Sequence, residues 1–156
     1  MEGSAAGHAA AGGALREGVI VPSLFPQRTG GNEHLTIVTH APTLLARIDV
    51  MAARARNFLV MPGTLGTLTE LCAVWNVAYL EELGGGATRR RIFAYQRPWK
   101  RLIEACAGEL GLPHEVVRHI VFVEDADDAL RRIAEADARE ASAEAAARGG
   151  AAAVPE

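Results

Sequence analysis

The chain has 156 residues, which is enough for one domain with a substantial core and too few for two ordinary domains. Charged residues make up 22% and the net charge is −3, which excludes the basic surface expected of a protein that binds nucleic acid or an anionic membrane. Because there is no run of about 18 apolar residues and no secretion signal, a cytoplasmic protein is expected.

Two short β-branched runs come first along the chain. Residues 19–21 and residues 36–39, each halted soon afterwards by a proline, are predicted to be buried strands. The glycine-rich, aperiodic sequence between them indicates a loop. From residue 43 to residue 56, apolar side chains recur every three or four positions, which predicts an amphipathic helix with Thr43 as its N-cap.

The middle of the chain repeats this order. Residues 58–61 predict a strand, and the stretch MPGTLGTLTE at 61–70 leads from it into a helix that ends at GGGA, residues 84–87. Cys72 and Cys106 lie among apolar residues of helical segments, so both are predicted to be buried, reduced thiols.

The remaining elements follow the same alternation. Strands are predicted at residues 91–95 and 119–125, with a helix between Pro98 and Gly111. Strands separated by helices predict a parallel sheet covered on both faces, that is, a doubly wound, three-layer α/β/α fold. We expect one domain over residues 1–137, followed by an alanine-rich tail at 138–156 that is helical or disordered.

The stretch after the strand at 58–61 has the composition of an anion-binding loop. Pro62 stiffens the exit of the strand, and Gly63 and Gly66 allow another group to approach the backbone closely. Thr64 and Thr67 add hydroxyls beside the amides that begin the helix, and those amides and the helix dipole attract an anion. No lysine follows the second glycine as in a Walker loop, and the G-x-G-x-x-G dinucleotide motif is absent.

Glu70 and Arg47 each have a purely structural alternative. Residues 67–70 have the spacing of a capping box, in which the threonine hydroxyl and the Glu70 carboxylate satisfy helix-start amides. Arg47 lies beside the apolar stripe of its helix, as a solvated or ion-paired residue would. Because both helices begin at the carboxyl edge of a parallel sheet, however, this cation and this carboxylate are expected to meet beside the anion-binding loop.

Two motifs at a fixed separation resemble those of the LOG (Lonely Guy) family, cytokinin-activating nucleoside 5′-monophosphate phosphoribohydrolases long labelled lysine decarboxylases. PGTLGTLTE matches the family motif P-G-G-x-G-T-x-x-E except at its second glycine. ARIDVM places Arg47 and Met51 in register with the family's E-R-K-x-x-M, with Arg47 fifteen residues before Pro62. The resemblance covers roughly residues 1–135.

The resemblance implies a Rossmann-like homodimer that binds an AMP-like nucleoside 5′-monophosphate and hydrolyses its N-glycosidic bond without a metal or another cofactor. Glu70 and Arg47 correspond to the catalytic pair. Nucleotide or phosphate binding is implied for Met51, Gly63, Thr64, Leu65, Gly66 and Thr67. Arg28, in the glycine-rich loop between the first two strands, is a further candidate for contact with the phosphate or the base. Lys100 is the only lysine and nothing resembles a pyridoxal-binding site, which disfavours decarboxylase chemistry.

Three positions depart from the family motifs. Thr64 stands where the family has a glycine, Ile48 where it has a lysine and Ala46 where it has a glutamate. In addition, the first residues align with the end of the family's first glycine-rich loop, so we expect a domain without its first strands. These departures leave open an alternative function, a non-catalytic nucleotide or molybdenum-cofactor carrier of the same fold.

Overall fold

The computed structural model describes residues 15–24, 26, 33–86, 88 and 90–151, with side chains through residue 148. The chain divides into two compact units, residues 1–55 and residues 56–156. Parallel strands flanked by helices occur in both units, which confirms the predicted α/β class and agrees with a Rossmann-like fold.

A pair of parallel strands forms the sheet of the first unit. Strand β1 (Glu17–Ile20) lies beside strand β2 (Ile37–His40), with Glu17 opposite Ile37. The backbone carbonyl of Arg16 extends this pairing, because it accepts hydrogen bonds from the amides of Thr36 and Ile37 at 2.8 and 3.0 Å. Both strands predicted from the β-branched runs are therefore present, with bounds shifted by one or two residues.

Helix α1 (Leu44–Arg54) follows β2. The Thr43 hydroxyl accepts a hydrogen bond from the Ala46 amide at 3.1 Å, which confirms the predicted N-cap. At the other end of the helix, Arg54 pairs with Glu17 of β1. The Thr39 hydroxyl and the Arg54 guanidinium, which both donate to the Glu17 carboxylate, hold the pKa of that carboxyl below its usual range.

Three parallel strands form the sheet of the second unit. Strand β3 (Asn57–Val60), strand β4 (Arg91–Tyr95) and strand β5 (Ile120–Val123) lie side by side in that order. Each corresponds to a strand that the sequence predicts. Their apolar residues point to both sides, as expected of parallel strands that are covered on both faces.

Helices cover both faces of this sheet, so the second unit has three layers. Helices α2 (Leu65–Leu83), α3 (Arg101–Leu110) and α4 (His114–Val117) pack on one face. The core on this face consists of Leu71, Val74, Trp75, Ala78, Ile92, Ala94, Trp99, Ile103, Val116 and Ile120. Helix α5 (Ala126–Ala151) covers the other face, where Ala129 packs against Phe93 and Val123.

Polar contacts hold these helices in place. The Trp75 indole of α2 donates a hydrogen bond to the Val116 carbonyl of α4 at 2.6 Å. At the amino end of β4, Arg91 forms ion pairs with Asp137 and Glu140 of α5. Helix α5 runs without a break across residue 138, where the predicted tail begins, and the boundary between domain and tail stays a prediction.

Candidate functional site

The predicted anion-binding loop joins β3 to α2 at the carboxyl edge of the three-stranded sheet. Thr64 is the N-cap residue, with extended backbone angles (φ −110°, ψ −162°), but its side chain makes no capping hydrogen bond. The first turn of α2 contains no acidic residue. The amides of Leu65, Gly66 and Thr67 have no acceptor within the helix, and they lie at the positive end of a 19-residue helix dipole. This arrangement attracts an anion.

The structure contradicts the capping-box alternative for Glu70. That alternative requires Thr67 as the N-cap, whereas α2 begins at Leu65 and Thr67 lies inside its first turn. Glu70 therefore lies in the second turn of the helix, where it is half-buried. Its neighbour Thr69 donates its hydroxyl to the Leu65 carbonyl at 2.9 Å, so that hydroxyl is bound to the helix itself.

The two glycines of the loop have different surroundings. A Cβ added to Gly63 would lie 2.7 Å from the Cβ of Thr67, closer than real side chains approach. Gly63 is therefore required by the way the loop folds back on the first turn of α2. A Cβ added to Gly66 would meet no described atom within 4 Å, so packing within the part of the chain that the structure describes does not require a glycine there. The described residues leave the space beside Gly66 open.

A tryptophan from the next connection fixes the start of the loop. The Trp99 indole donates a hydrogen bond to the Met61 carbonyl at 3.0 Å. Trp99 is 2% exposed and belongs to the core of the second unit. The sequence does not reveal this bond, because the two residues are 38 positions apart.

The other predicted site residues belong to the first unit. Arg47 is half-buried on α1, and its Nε donates a hydrogen bond to the Val19 carbonyl of β1 at 2.8 Å. The side chain is thus held against the strand rather than only solvated. Met51 is half-buried one turn further along α1. Pairing of Arg47 with Glu70 stays a prediction, and Arg28 lies outside the described residues.

The loop after β5, at the same edge of the sheet, differs from the loop after β3. Asp125 accepts a hydrogen bond from the Asp128 amide at 2.8 Å, so a carboxylate of the protein caps α5. The Arg132 guanidinium and the Glu124 amide hold the pKa of Asp128 below its usual range. An open cleft of about 430 Å³ here is lined by Glu124, Asp125, Asp127, Asp128, Arg131 and Arg132. Its four carboxylates disfavour a phosphate, in contrast to the loop after β3.

The predicted burial of the two cysteines is wrong. Both are free thiols, as predicted, but Cys72 is exposed and Cys106 only half-buried. Helix α2 is apolar on nearly all sides, so its sequence does not distinguish the face that packs from the face that is exposed. Although the residue as a whole is exposed, partial burial of its thiol raises the pKa of Cys72, and the neighbouring Cys106 contributes a smaller increase. The Cys72 thiol is therefore protonated at neutral pH.

The residues that the structure describes form neither a metal site nor a membrane-spanning helix. Among them, no three His, Cys, Asp or Glu side chains form a group that could hold a metal ion. None of the described helices has the length and apolar character needed to cross a membrane.

Comparison with known proteins identifies similar sequences. A family model described as possible lysine decarboxylase matches residues 1–133. A cytokinin riboside 5′-monophosphate phosphoribohydrolase of Mycobacterium marinum (strain ATCC BAA-535 / M) is 29% identical over 121 residues, which cover 74% of this chain and 62% of that protein. The matched part of the chain thus spans less than two thirds of the relative's length.

Proposed function

Since the chain belongs to the LOG family, whose model matches residues 1–133, we propose that it is a nucleoside 5′-monophosphate phosphoribohydrolase. The enzyme would hydrolyse the N-glycosidic bond of a purine nucleotide of the cytokinin type, releasing the free base and ribose 5-phosphate. The observation that carries this proposal is the start of α2, where uncapped amides follow a glycine loop and a half-buried carboxylate lies one turn further on. The name of the M. marinum relative supports the same activity.

The first turn of α2 would hold the 5′-phosphate. The amides of Leu65, Gly66 and Thr67 donate to the phosphate oxygens, and the helix dipole favours the negative charge. The hydroxyls of Thr64 and Thr67 add further donors, and the open space at Gly66 lets the phosphate approach the backbone. With the phosphate held in this way, the ribose would extend from it towards Glu70.

Glu70 and Arg47 would carry out the chemistry. As the C1′–N bond breaks, positive charge develops on the sugar, and the Glu70 carboxylate stabilises it or accepts a proton from the attacking water. The water oxygen forms the new bond to C1′, and the departing base gains a proton. Arg47 would orient this carboxylate or the ribose hydroxyls, and its bond to the Val19 carbonyl supports an orienting role because it fixes the guanidinium. Met51 and Arg28 would contact the nucleotide.

A nucleotide or molybdenum-cofactor carrier is the second candidate. Thr64, which replaces a family glycine, is the N-cap residue and is exposed beside the amides that would bind phosphate. Ile48 is buried, so the charge that the family has at this position is replaced by core packing. Both changes would leave the phosphate-binding amides in place while altering the surroundings of the bond to be hydrolysed.

Incubation with AMP and with isopentenyl-AMP, followed by chromatography, separates these functions. Release of free base supports the hydrolase. Binding of either nucleotide without release would select the carrier. If neither nucleotide raises the melting temperature, the hydrolase and the nucleotide carrier are both rejected.

A Gly66→Ala substitution tests the phosphate site. We expect the variant to be more stable by about 0.5–1 kcal/mol, because alanine favours a helix and its Cβ meets no neighbour. AMP affinity should nevertheless fall by about tenfold, because the methyl group would occupy space needed by the phosphate. Thermal melting and calorimetric titration with AMP measure the two effects.

Gly63→Ala is the matched control for this prediction. Its Cβ would collide with Thr67, so it should lower stability by about 1–3 kcal/mol together with AMP affinity. Unchanged AMP binding by the more stable Gly66→Ala protein would show that the phosphate does not contact this turn.

A homodimer is part of the proposal, as the family resemblance implies. Leu65, Cys72, Leu80 and Leu83 follow helical spacing along one exposed face of α2, and the three leucines are 77%, 53% and 63% exposed. A helix that is apolar on nearly all sides is normally covered on all sides, so this face fits a second copy of the chain.

Light scattering after size exclusion tests the dimer. The wild-type protein should have twice the 16.5 kDa mass of the chain. A Leu80→Glu, Leu83→Glu variant should be monomeric, since it would place charges within the apolar contact. Leu110→Glu, which changes an exposed leucine of α3, should remain dimeric. Dimerisation of the double variant would rule out this face.

A cytoplasmic location also belongs to the proposal. Cys72 and Cys106 are free thiols, which is the usual state of cysteines in the reducing cytoplasm. Cell fractionation followed by immunoblotting would test it, and recovery of the protein outside the cytoplasmic fraction would contradict it.

A further inference from the structure

The two cysteines of the chain lie on neighbouring helices of the second unit. Cys72 belongs to α2 and Cys106 to α3, and both helices pack on the same face of the sheet. Helix α2 leads from β3 to β4, and α3 follows β4 on the way to β5, so the two helices follow adjacent parallel strands. Such helices lie side by side, with their axes about 8–10 Å apart. Helices α2 and α3 therefore share a groove.

Both thiols face this groove. Leu71 and Ile103, each 1% exposed, mark the side of each helix that points to the sheet. Cys72 comes one residue after Leu71 and is turned about 100° from it, whereas Cys106 comes three residues after Ile103 and is turned about 60° in the opposite sense. Right-handed connections between the strands place α3 on the side to which Cys72 is turned, and α2 on the side to which Cys106 is turned.

The separation of the two cysteines suits a covalent bond. Each Cα lies about 2.3 Å from its helix axis, so Cα atoms on opposite walls of the groove are about 4–7 Å apart. A disulfide joins Cα atoms about 4.4–6.8 Å apart. Both residues lie about two turns from the start of their helices, hence at a similar depth below the carboxyl edge of the sheet. The thiols also interact electrostatically, because Cys106 contributes to the raised pKa of Cys72.

We propose that Cys72 and Cys106 form a reversible disulfide when the protein meets a hydroperoxide, which makes the groove between α2 and α3 a redox-responsive modification site. The Cys72 thiolate attacks one peroxide oxygen, the O–O bond breaks, and water leaves behind a sulfenic acid on Cys72. The Cys106 sulfur then attacks the Cys72 sulfur, the S–O bond breaks, and a second water leaves as the S–S bond forms. Two thiols are thus oxidised to one disulfide, and hydrogen peroxide is reduced to two waters.

Exposure assigns the order of these steps. Cys72 is exposed and meets the oxidant first, and Cys106, which is half-buried, resolves the sulfenic acid. Because the pKa of Cys72 is raised, little of it is thiolate at neutral pH, so the bond forms slowly and requires a sustained oxidant. In a reducing compartment such a bond is transient, and both thiols are free in its absence.

Treatment of the reduced protein with hydrogen peroxide tests this inference. The product should lack both free thiols, be lighter by two hydrogen atoms and keep the 16.5 kDa mass of one chain on a denaturing, non-reducing gel. It should melt at least about 5 °C higher, because the bond closes a loop of about 35 residues in the unfolded chain. Dithiothreitol should reverse both changes, and mass spectrometry of proteolytic peptides should identify the cross-link.

Cys72→Ser and Cys106→Ser are the matched control variants. Each retains one thiol, so peroxide should not raise the melting temperature of either protein. Three results for the wild type would each overturn the inference: two thiols that stay free, a disulfide between the Cys72 residues of two copies, or a sulfinic acid on Cys72 beside a free Cys106. No nucleotide takes part in this test, so its failure would leave the proposed function unaffected.

Discussion

A Glu70→Gln protein should fold normally and release free base at least about a hundredfold more slowly than the wild type. The amide retains the size of the carboxylate but lacks the negative charge that would stabilise the developing cation on the sugar. Removing one such electrostatic contact from a preorganised site typically costs a factor of about 10²–10³ in rate. The capping box is not formed, so this carboxylate does not cap the start of α2.

Glu109→Gln provides the matched control for this substitution. Glu109 is an exposed residue of α3, and the change from carboxylate to amide is the same. Its rate of base release should equal that of the wild type. The Glu109→Gln protein should melt within about 2 °C of the wild-type protein, since surface changes of this kind shift stability by less than about 0.5 kcal/mol. Base release at the wild-type rate by folded Glu70→Gln protein would remove Glu70 from the catalytic role.

A Trp99→Ala substitution should have the largest effect on stability, lowering the free energy of unfolding by about 3–5 kcal/mol. The indole is 2% exposed, packs in the main core of the second unit and holds the Met61 carbonyl at the start of the anion-binding loop. Trp99→Phe keeps most of the packing and removes the hydrogen bond, so we expect a smaller loss of about 1–3 kcal/mol. Urea unfolding monitored by circular dichroism measures both changes.

The phenylalanine variant also separates packing from site geometry. If the bond to Met61 positions the loop, AMP affinity of Trp99→Phe should fall several-fold at a temperature where the variant is fully folded. Leu102→Ala, which truncates a more exposed side chain of the adjoining helix, should cost less than about 1 kcal/mol and leave AMP affinity unchanged. A Trp99→Ala protein as stable as the Leu102→Ala protein would contradict the packing described here.

The amino-acid sequence alone determined much of the fold. Alternation of β-branched runs with helical stripes predicted the strands and the long helices, and Thr43 was predicted as the cap of α1. These features depend on interactions within a few residues, so their signals are present in a short stretch of sequence. The glycine loop and Glu70 were predicted as site residues in the same way, because the family motif is continuous along the chain.

Tertiary structure alone decided where α2 begins and which of its faces is exposed. The sequence offered Thr67 as a possible cap, whereas the structure has Thr64 as the N-cap residue and begins the first turn of the helix at Leu65. The apolar character of α2 on nearly all sides concealed that Cys72 is exposed. The hydrogen bond from the Trp99 indole to the Met61 carbonyl, which fixes the start of the loop, joins residues 38 positions apart. Contacts of this kind arise only when distant strands pair, because local periodicity carries no information about which segments become neighbours.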